Sequence, residues 1–173
     1  LYQDSTRIEI VNSLITKLLE NGKNKIIVFS DRVEHAKDMY DRFQKTWLAK
    51  SYLILWEVND KASLIEEIKT QQQFIIFGTI WCTWEWMDVP MLEVGILTFN
   101  SKEERIIQQA VWRVRRKYWE KTCGIFFDIQ DSLEIEWSRK KYLGWTVRNK
   151  IYHSLWFDVK EPIWQWTIIW WYS

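Results

Sequence analysis

The sequence predicts an α/β domain built on a parallel β-sheet with helices on both faces. Short apolar runs rich in β-branched residues alternate with amphipathic helical segments up to residue 129, and this alternation is typical of βαβ units. Successive residues of these runs are apolar, as expected for strands that are buried on both faces. Because crossovers between such strands are right-handed and helical, we expect the strands to lie parallel.

The first elements can be placed from apolar spacing and from helix-stop residues. Apolar residues at helical spacing predict a first helix at about 7–21, and Gly22 is a natural helix stop. "KIIVFS" (25–30) predicts a buried strand. Asp31 is positioned to cap the helix that we expect over 32–48.

The same alternation continues towards the C-terminus. The predicted order is strand "YLILW", helix "KASLIEEIKT", strand "QFIIFGT", an irregular segment 80–91, strand "VGILTF", helix "KEERIIQQAVWRVRR" and strand "CGIFFDI". In a parallel sheet, ligands meet the loops at the carboxyl ends of the strands. Candidate functional residues therefore lie at 30–32, at 79–88 and just before Lys102.

The C-terminal segment breaks this pattern, so we divide the chain into a domain at 1–132 and a basic, helical and aromatic tail at 133–173. "SRKKYLGWTVRNK" (138–150) contains five basic residues and no acidic one, and we expect it to be helical. It either contacts nucleic acid or forms an amphipathic helix with a solvated basic face. "PIWQWTIIWWYS" has no clear period, and no element is predicted there.

The amino-acid composition limits the partners and the location that we expect for this protein. The chain has 24 basic and 23 acidic residues, for a formal net charge of +1. A surface that binds nucleic acid must therefore come from local clustering of basic residues. Two cysteines and two histidines form neither a disulfide framework nor a metal site, which favours an intracellular chain. No apolar run approaches the ~20 residues that span a bilayer, so we expect no membrane partner. The start "LYQDSTRIEI" indicates a piece of a longer polypeptide.

Three segments carry a family resemblance. "KIIVFSDRVEHA", "FIIFGT" with "TWEWMDVPMLEVGILT", and "QQAVWRVRRKY" with "TCGIFFDIQDS" resemble motifs IV, V and VI of the second RecA-like domain of superfamily 2 helicases. The resemblance covers residues 7–158 and is strongest to DNA helicases and translocases of large DNA viruses and phages and to the XPB-like group. If the protein is viral, we expect it in the host cytoplasm or the virion.

The resemblance implies roles for five residues in the use of ATP. In motif VI, Arg116 would be the arginine finger and Arg113 a second γ-phosphate contact, with Gln109 beside them. In motif V, Glu85 and Asp88 would help to hold the nucleotide or respond to it. A guanidinium group suits this chemistry because it stabilises the charge that spreads over a transferring phosphoryl group. On one helix, residues three apart share a face, which we expect of the two arginines.

The sequence has neither a G-x-x-x-x-G-K-[ST] phosphate loop nor a D-E-x-[DH] magnesium motif. ATP and Mg²⁺ would therefore be bound mainly by an N-terminal P-loop domain, which is the expected protein partner. This chain alone would be inactive.

The resemblance also implies contacts to a DNA or RNA backbone. Thr79 resembles the motif V threonine that donates a hydrogen bond to a phosphate, and Ser30 and Arg32 would do the same from motif IV. Such contacts carry no sequence information, so we expect a strand bound without strong sequence preference.

Tryptophan replaces glycine at two motif positions. Trp86 stands at the glycine of motif V and Trp112 at the glycine of motif VI, in a chain with fourteen tryptophans and five glycines. Glycine allows close backbone approach to a ligand, and an indole there would fill space that the nucleotide or phosphate needs. Two hypotheses stay open: the C-terminal motor half of a helicase or translocase, and a non-catalytic RecA-like module that binds nucleic acid or protein.

Overall fold

The computed structural model describes residues 5–86, 88–119, 121, 123–129, 145–155, 158–159 and 166–172. The helices are α1 (Ser5–Glu20), α2 (Val33–Gln44), α3 (Lys61–Thr70), α4 (Ile80–Trp86), α5 (Glu104–Arg115) and α6 (Trp145–Ser154). The strands are β1 (Lys25–Ser30), β2 (Ser51–Ile54), β3 (Phe74–Thr79), β4 (Val94–Leu97), β5 (Cys123–Ile129), β6 (Asp158–Val159) and β7 (Trp166–Tyr172).

The described strands form one seven-stranded sheet in the order β2-β3-β1-β4-β5-β7-β6. The first five strands in this order are parallel to one another, which confirms the predicted parallel α/β architecture. β7 then pairs antiparallel with β5, and β6 pairs antiparallel with β7. The strand that follows α1 in the chain, β1, is therefore at the centre of the parallel sheet.

Among the described residues, alternate positions of β1 to β5 supply two apolar cores, one on each face of the sheet. On β1, Ile26 and Val28 face the core that includes α1 and α2, whereas Ile27 and Phe29 face the core that includes α3, α5 and α6. All four side chains are fully buried. Removal of this apolar surface from water is the main driving force for the fold, and it explains why the runs lack polar alternation.

The sequence predicted how α1 ends and how α2 begins. Gly22 has a φ of 75°, and the bonds from Gly22 N to Leu19 O and from Lys23 N to Leu18 O (3.0 and 2.9 Å) form a Schellman helix end. The predicted helix stop is thus confirmed. The predicted cap of α2 is wrong: Arg32, not Asp31, is the N-cap residue, and its side chain makes no capping bond.

Two local predictions fail further along the chain. α2 ends at Gln44 rather than at 48, and Trp47 just beyond it has a φ of 55°. The segment 80–91, predicted to be irregular, begins with the helix α4, whose Thr83 hydroxyl donates to the Thr79 carbonyl (3.2 Å).

The C-terminal segment joins the sheet. α6 confirms the expected helix over its second half, while 138–144 lies outside the described residues. β7, for which the sequence predicted no element, pairs with β5 along its whole length, from Tyr172 opposite Cys123 to Trp166 opposite Ile129. None of the helices in the described ranges is both long and apolar enough to cross a bilayer.

Candidate functional site

The carboxyl ends of β1 and β3 bring two of the predicted backbone-contact residues side by side. Ser30 and Thr79 are register partners at the last position of their strands. The Thr79 side chain is buried, and its hydroxyl oxygen has no hydrogen-bond partner among the described residues. A buried hydroxyl without a partner carries a desolvation cost, so this group is suited to bond a ligand that reaches the sheet edge.

The Ser30 hydroxyl is already bonded within its own loop. It donates to the Arg32 carbonyl (3.1 Å), accepts from the Arg32 N–H (3.2 Å) and lies 3.1 Å from His35 Nδ1. Arg32 itself is exposed, and its guanidinium is 3.8 Å from the Asp31 carboxylate. Ser30 thus shapes the loop that presents Arg32, and Asp31 contributes a charge there rather than a helix cap.

Asp88 lies on a short turn between α4 and β4. The Leu92 N–H donates to the Val89 carbonyl (3.4 Å) to form the turn, and both of these side chains are buried. Asp88 is exposed at the start of this turn. The side chains of Glu85 and Trp86, at the end of α4, are outside the described part of the structure. The chain therefore holds the Asp88 carboxylate at the surface on an anchored segment.

The end of α5 differs from the prediction that its two motif arginines share a helix face. α5 ends at Arg115, and Arg116 is its C-cap residue with a ψ of 132°, so the chain turns away at this point. Arg116 nevertheless forms an ion pair with Asp88, Nη1 to Oδ1. The turn after the helix, rather than helical periodicity, therefore places this guanidinium against the motif V carboxylate.

Arg113 shares the electrostatic environment of this pair. Burial lowers the pKa of the Arg113 guanidinium, the positive charge of Arg116 lowers it further, and the Asp88 carboxylate raises it. An arginine remains protonated in spite of such shifts. We call Arg113, Arg116 and Asp88 the arginine cluster, in which the guanidinium groups of two arginines share the electrostatic environment of one carboxylate.

Gln109 lies one helical turn before Arg113 on α5. Its side-chain oxygen is buried and has no hydrogen-bond partner within the part of the chain that the structure describes. The three motif VI residues that the sequence singled out thus include one unsatisfied polar group beside the arginine cluster.

Trp112, which the resemblance aligns with the motif VI glycine, lies on the exposed side of α5. Its side chain is 53% exposed, and the Arg115 guanidinium carbon lies 5.1 Å from the ring centroid, in cation–π geometry. Arg115 is therefore directed to the indole, whereas its neighbour Arg116 is directed to Asp88.

Sequence reasoning missed a buried polar cluster on β5 and α6. The Asp128 carboxylate accepts a bond from the Tyr152 hydroxyl (2.9 Å) and lies 3.1 Å from Nη1 of Arg148, which also donates to the Phe99 carbonyl (3.3 Å). Arg148 and Asp128 are fully buried. Burial raises the pKa of the Tyr152 phenol, the Asp128 charge raises it further, and Arg148 lowers it.

This finding removes Arg148 from the basic residues of the segment 138–150 that could contact nucleic acid. Arg148 is buried and cannot contact a polyanion from the surface, whereas Lys150 of the same helix is exposed. A signal was present in the sequence, since Arg148 and Tyr152 lie four apart and share one face of a helix.

No group of histidine, cysteine, aspartate and glutamate side chains within the described ranges is arranged to hold a metal ion.

The fold of this chain is similar to that of several solved structures. Similar structures include T4 UvsW, at 18% identity over 88% of this chain and 35% of that chain, with a TM-score of 0.60. The C-terminal part of the Fun30 ATPase domain is similar at 15% identity over 90% and 56% of the two chains, with a TM-score of 0.58. Domain 2 of the DEAD-box helicase Mss116p, bound to an RNA duplex, is similar at 18% over 69% and 47%, with a TM-score of 0.56.

These similarities define the fold. The chain has the RecA-like α/β fold of helicase and ATPase domains, as the motif order predicted. It spans between 35% and 56% of the length of these structures. No protein-family model and no curated protein sequence matches it.

Proposed function

We propose that this chain is the C-terminal motor half of an ATP-dependent superfamily 2 DNA helicase or translocase. The observation that carries the proposal is the contact of Arg116 with Asp88 beside the half-buried Arg113. It joins the segments that resemble motifs V and VI in the arginine cluster. The fold shared with T4 UvsW and with Mss116p domain 2 supports this function.

The chain would complete an ATP site rather than form one. ATP and Mg²⁺ would be bound mainly by a P-loop domain, with Arg116 as the arginine finger, Arg113 on the γ-phosphate and Gln109 beside them. A positioned guanidinium stabilises the charge that develops on the transferring phosphoryl group. Asp88 would hold Arg116 until the nucleotide arrives, and Glu85 would assist it. Hydrolysis would then require closure of the two domains.

The nucleic-acid backbone would lie along the carboxyl edge of the sheet. The unpartnered hydroxyl of Thr79 would donate to a phosphate, and the exposed Arg32, on the loop shaped by Ser30, would add a cation. The Mss116p domain bound to an RNA duplex supports a nucleic-acid partner. The preference for DNA, and a viral or XPB-like relationship, rests on the sequence resemblance.

The test is the variant Arg116→Ala in a polypeptide that joins this domain to its P-loop domain. Nucleic-acid-stimulated ATP hydrolysis should fall by roughly 10³-fold or more, while binding to DNA stays nearly unchanged. Arg115→Ala is the matched control, because this neighbouring arginine stacks on the Trp112 ring. Unchanged turnover in Arg116→Ala would contradict the assignment.

A second candidate is a non-catalytic RecA-like module that binds nucleic acid or protein. The exposed indole of Trp112, stacked by Arg115 at the motif VI glycine position, favours it. Salt dependence separates the two kinds of partner: binding to nucleic acid should weaken steeply with salt, whereas binding through an apolar protein patch should not.

A further inference from the structure

A lysine that no motif includes connects the turn carrying Asp88 to the end of α5. Lys121 Nζ donates to the carbonyl oxygens of Val114 (2.7 Å), Leu92 (3.1 Å) and Pro90 (3.4 Å). Two of these acceptors belong to the turn between α4 and β4, and the third belongs to the last turn of α5. One ammonium group therefore bridges both segments that supply the arginine cluster.

The Val114 carbonyl is an acceptor that the helix itself leaves open. The last four carbonyls of a helix have no partner within it, and a cation at this end also interacts favourably with the helix dipole. The N–H of Lys121 donates to the Tyr118 carbonyl (2.9 Å), and this turn brings the lysine back to the helix end. Lys121 thus caps α5 from beyond its C-terminus.

Two glycines let α5 approach the sheet closely at this point. A Cβ atom on Gly124 would lie 2.6 Å from the Val114 carbonyl oxygen, and one on Gly95 would lie 2.7 Å from a Val114 methyl group. The end of α5 is therefore seated tightly against β4 and β5. Lys121 connects this firmly seated helix end to the turn that carries Asp88.

We propose that Lys121 is a positioning residue that holds the Asp88 turn against the end of α5 and so keeps Asp88 within reach of Arg116. This inference rests on the proposed function in giving the arginine cluster a catalytic purpose. The contact geometry itself can be tested independently of ATP.

The environment of Lys121 makes its contacts dependent on pH, and this pH dependence can be measured. Burial lowers the pKa of its ammonium group from the ordinary 10.5 to about 8, while the charges of Glu93 and Cys123 act in the opposite direction. As the pH rises through about 8, the folded chain therefore loses this proton. The neutral amine then has two N–H donors for three carbonyls, and the turn should loosen.

The experiment follows the guanidinium carbon of Arg116 by ¹³C NMR in the 173-residue chain as the pH is raised. In the wild type its resonance should shift with a midpoint near pH 8. Lys121→Arg, which keeps a cation, should abolish the shift, and Lys121→Met should show the high-pH resonance throughout. Lys117→Met is the matched control, since Lys117 is an exposed lysine of the same segment. Cys123→Ser, which removes the neighbouring thiol, should leave the response in place.

Absence of a response in the wild type, or the same midpoint in Lys121→Arg, would overturn the positioning role. If Lys121→Met does not fold, the wild type and Lys121→Arg still decide. The proposed function can fail separately from the positioning role. In that case Arg116→Ala would keep full turnover, while the Arg116 resonance of the wild-type chain would still shift when Lys121 loses its proton. If the proposed function and the positioning role are both correct, ATP turnover by a polypeptide that includes the P-loop domain should decline above about pH 8 in the wild type. The same polypeptide with Lys121→Arg should show no such decline.

Discussion

Arg116 donates through Nη1 to Oδ1 of Asp88, across a sequence separation of 28 residues. Both side chains are exposed, and ion pairs between exposed groups contribute only about 0–1 kcal/mol to stability. The contact therefore does little for the fold. Its significance is that it fixes the direction of one guanidinium group at a surface where Arg113 supplies a second.

Asp88→Ala tests this separation of stability from function. The free energy of unfolding, measured in urea, should fall by less than about 1 kcal/mol, because the pair is exposed. Turnover in a polypeptide that includes the P-loop domain should fall by at least about tenfold, because Arg116 loses its positioning partner. A loss of stability without a loss of turnover would show that the contact is only structural.

Trp112→Gly tests whether the indole at the motif VI position obstructs the site. Glycine within α5 should lower the free energy of unfolding by less than about 1 kcal/mol through helix propensity, since tryptophan is a better helix former than glycine but a poorer one than alanine. If the chain is a motor half, nucleic-acid-stimulated turnover should rise. A fall in nucleic-acid or protein binding, with no gain in turnover, would instead support the non-catalytic module.

Arg148→Met tests the buried cluster that joins α6 to β5. The substitution leaves the Asp128 carboxylate buried without its cation, so the free energy of unfolding should fall by about 3–5 kcal/mol. Tyr152→Phe should cost less, about 1.5–3 kcal/mol, because only one hydrogen bond to a charged group is lost. Lys150→Met, on the exposed side of the same helix, is the control and should change little. Equal effects at positions 148 and 150 would contradict the buried pair.

Trp47→Gly should stabilise the protein. Trp47 has a φ of 55° and is 89% exposed. Its backbone is therefore strained by the left-handed conformation, and its side chain contributes little buried apolar surface to offset that strain. Relief of that strain, less the greater chain entropy of glycine, should raise the free energy of unfolding by about 0.5–1 kcal/mol. Trp56→Gly is the comparison, because Trp56 is also exposed but has no positive φ. In thermal melts, the melting temperature of Trp47→Gly should be higher than that of Trp56→Gly. An equal gain in stability in the two variants would rule out backbone strain at Trp47 as the cause.

Much of the fold could be predicted because the relevant signals are local. Strands such as β1 are apolar throughout their interior, from Ile26 to Phe29, and the Gly22 helix stop is recognisable from its immediate sequence neighbours. α4 was missed because its seven residues are too few to show a clear apolar face. β7 was missed because its hydrogen bonds go to β5, far away in the chain, and its own residues show no period.

For the candidate site, the sequence determined which residues could act and in what order they occur: Ser30 and Thr79 at strand ends, and Asp88, Arg113 and Arg116 in motif-like spacing. It is the tertiary structure that decided which of them meet. Arg116 reaches Asp88 because the chain leaves the helix at that residue.

The residues that sequence reasoning overlooked depend entirely on tertiary contacts. Lys121 acts on carbonyl oxygens of two distant segments, and backbone acceptors leave no trace in the identity of the residues that carry them. Arg148 looks like any basic surface residue until packing buries it beside Asp128. The sequence by itself thus determined the α/β pattern and the candidate chemistry, because both are written in local periodicity and residue type. Only the tertiary structure decided which charges are paired, buried or free to receive a ligand, because those properties depend on neighbours that the chain brings together by folding.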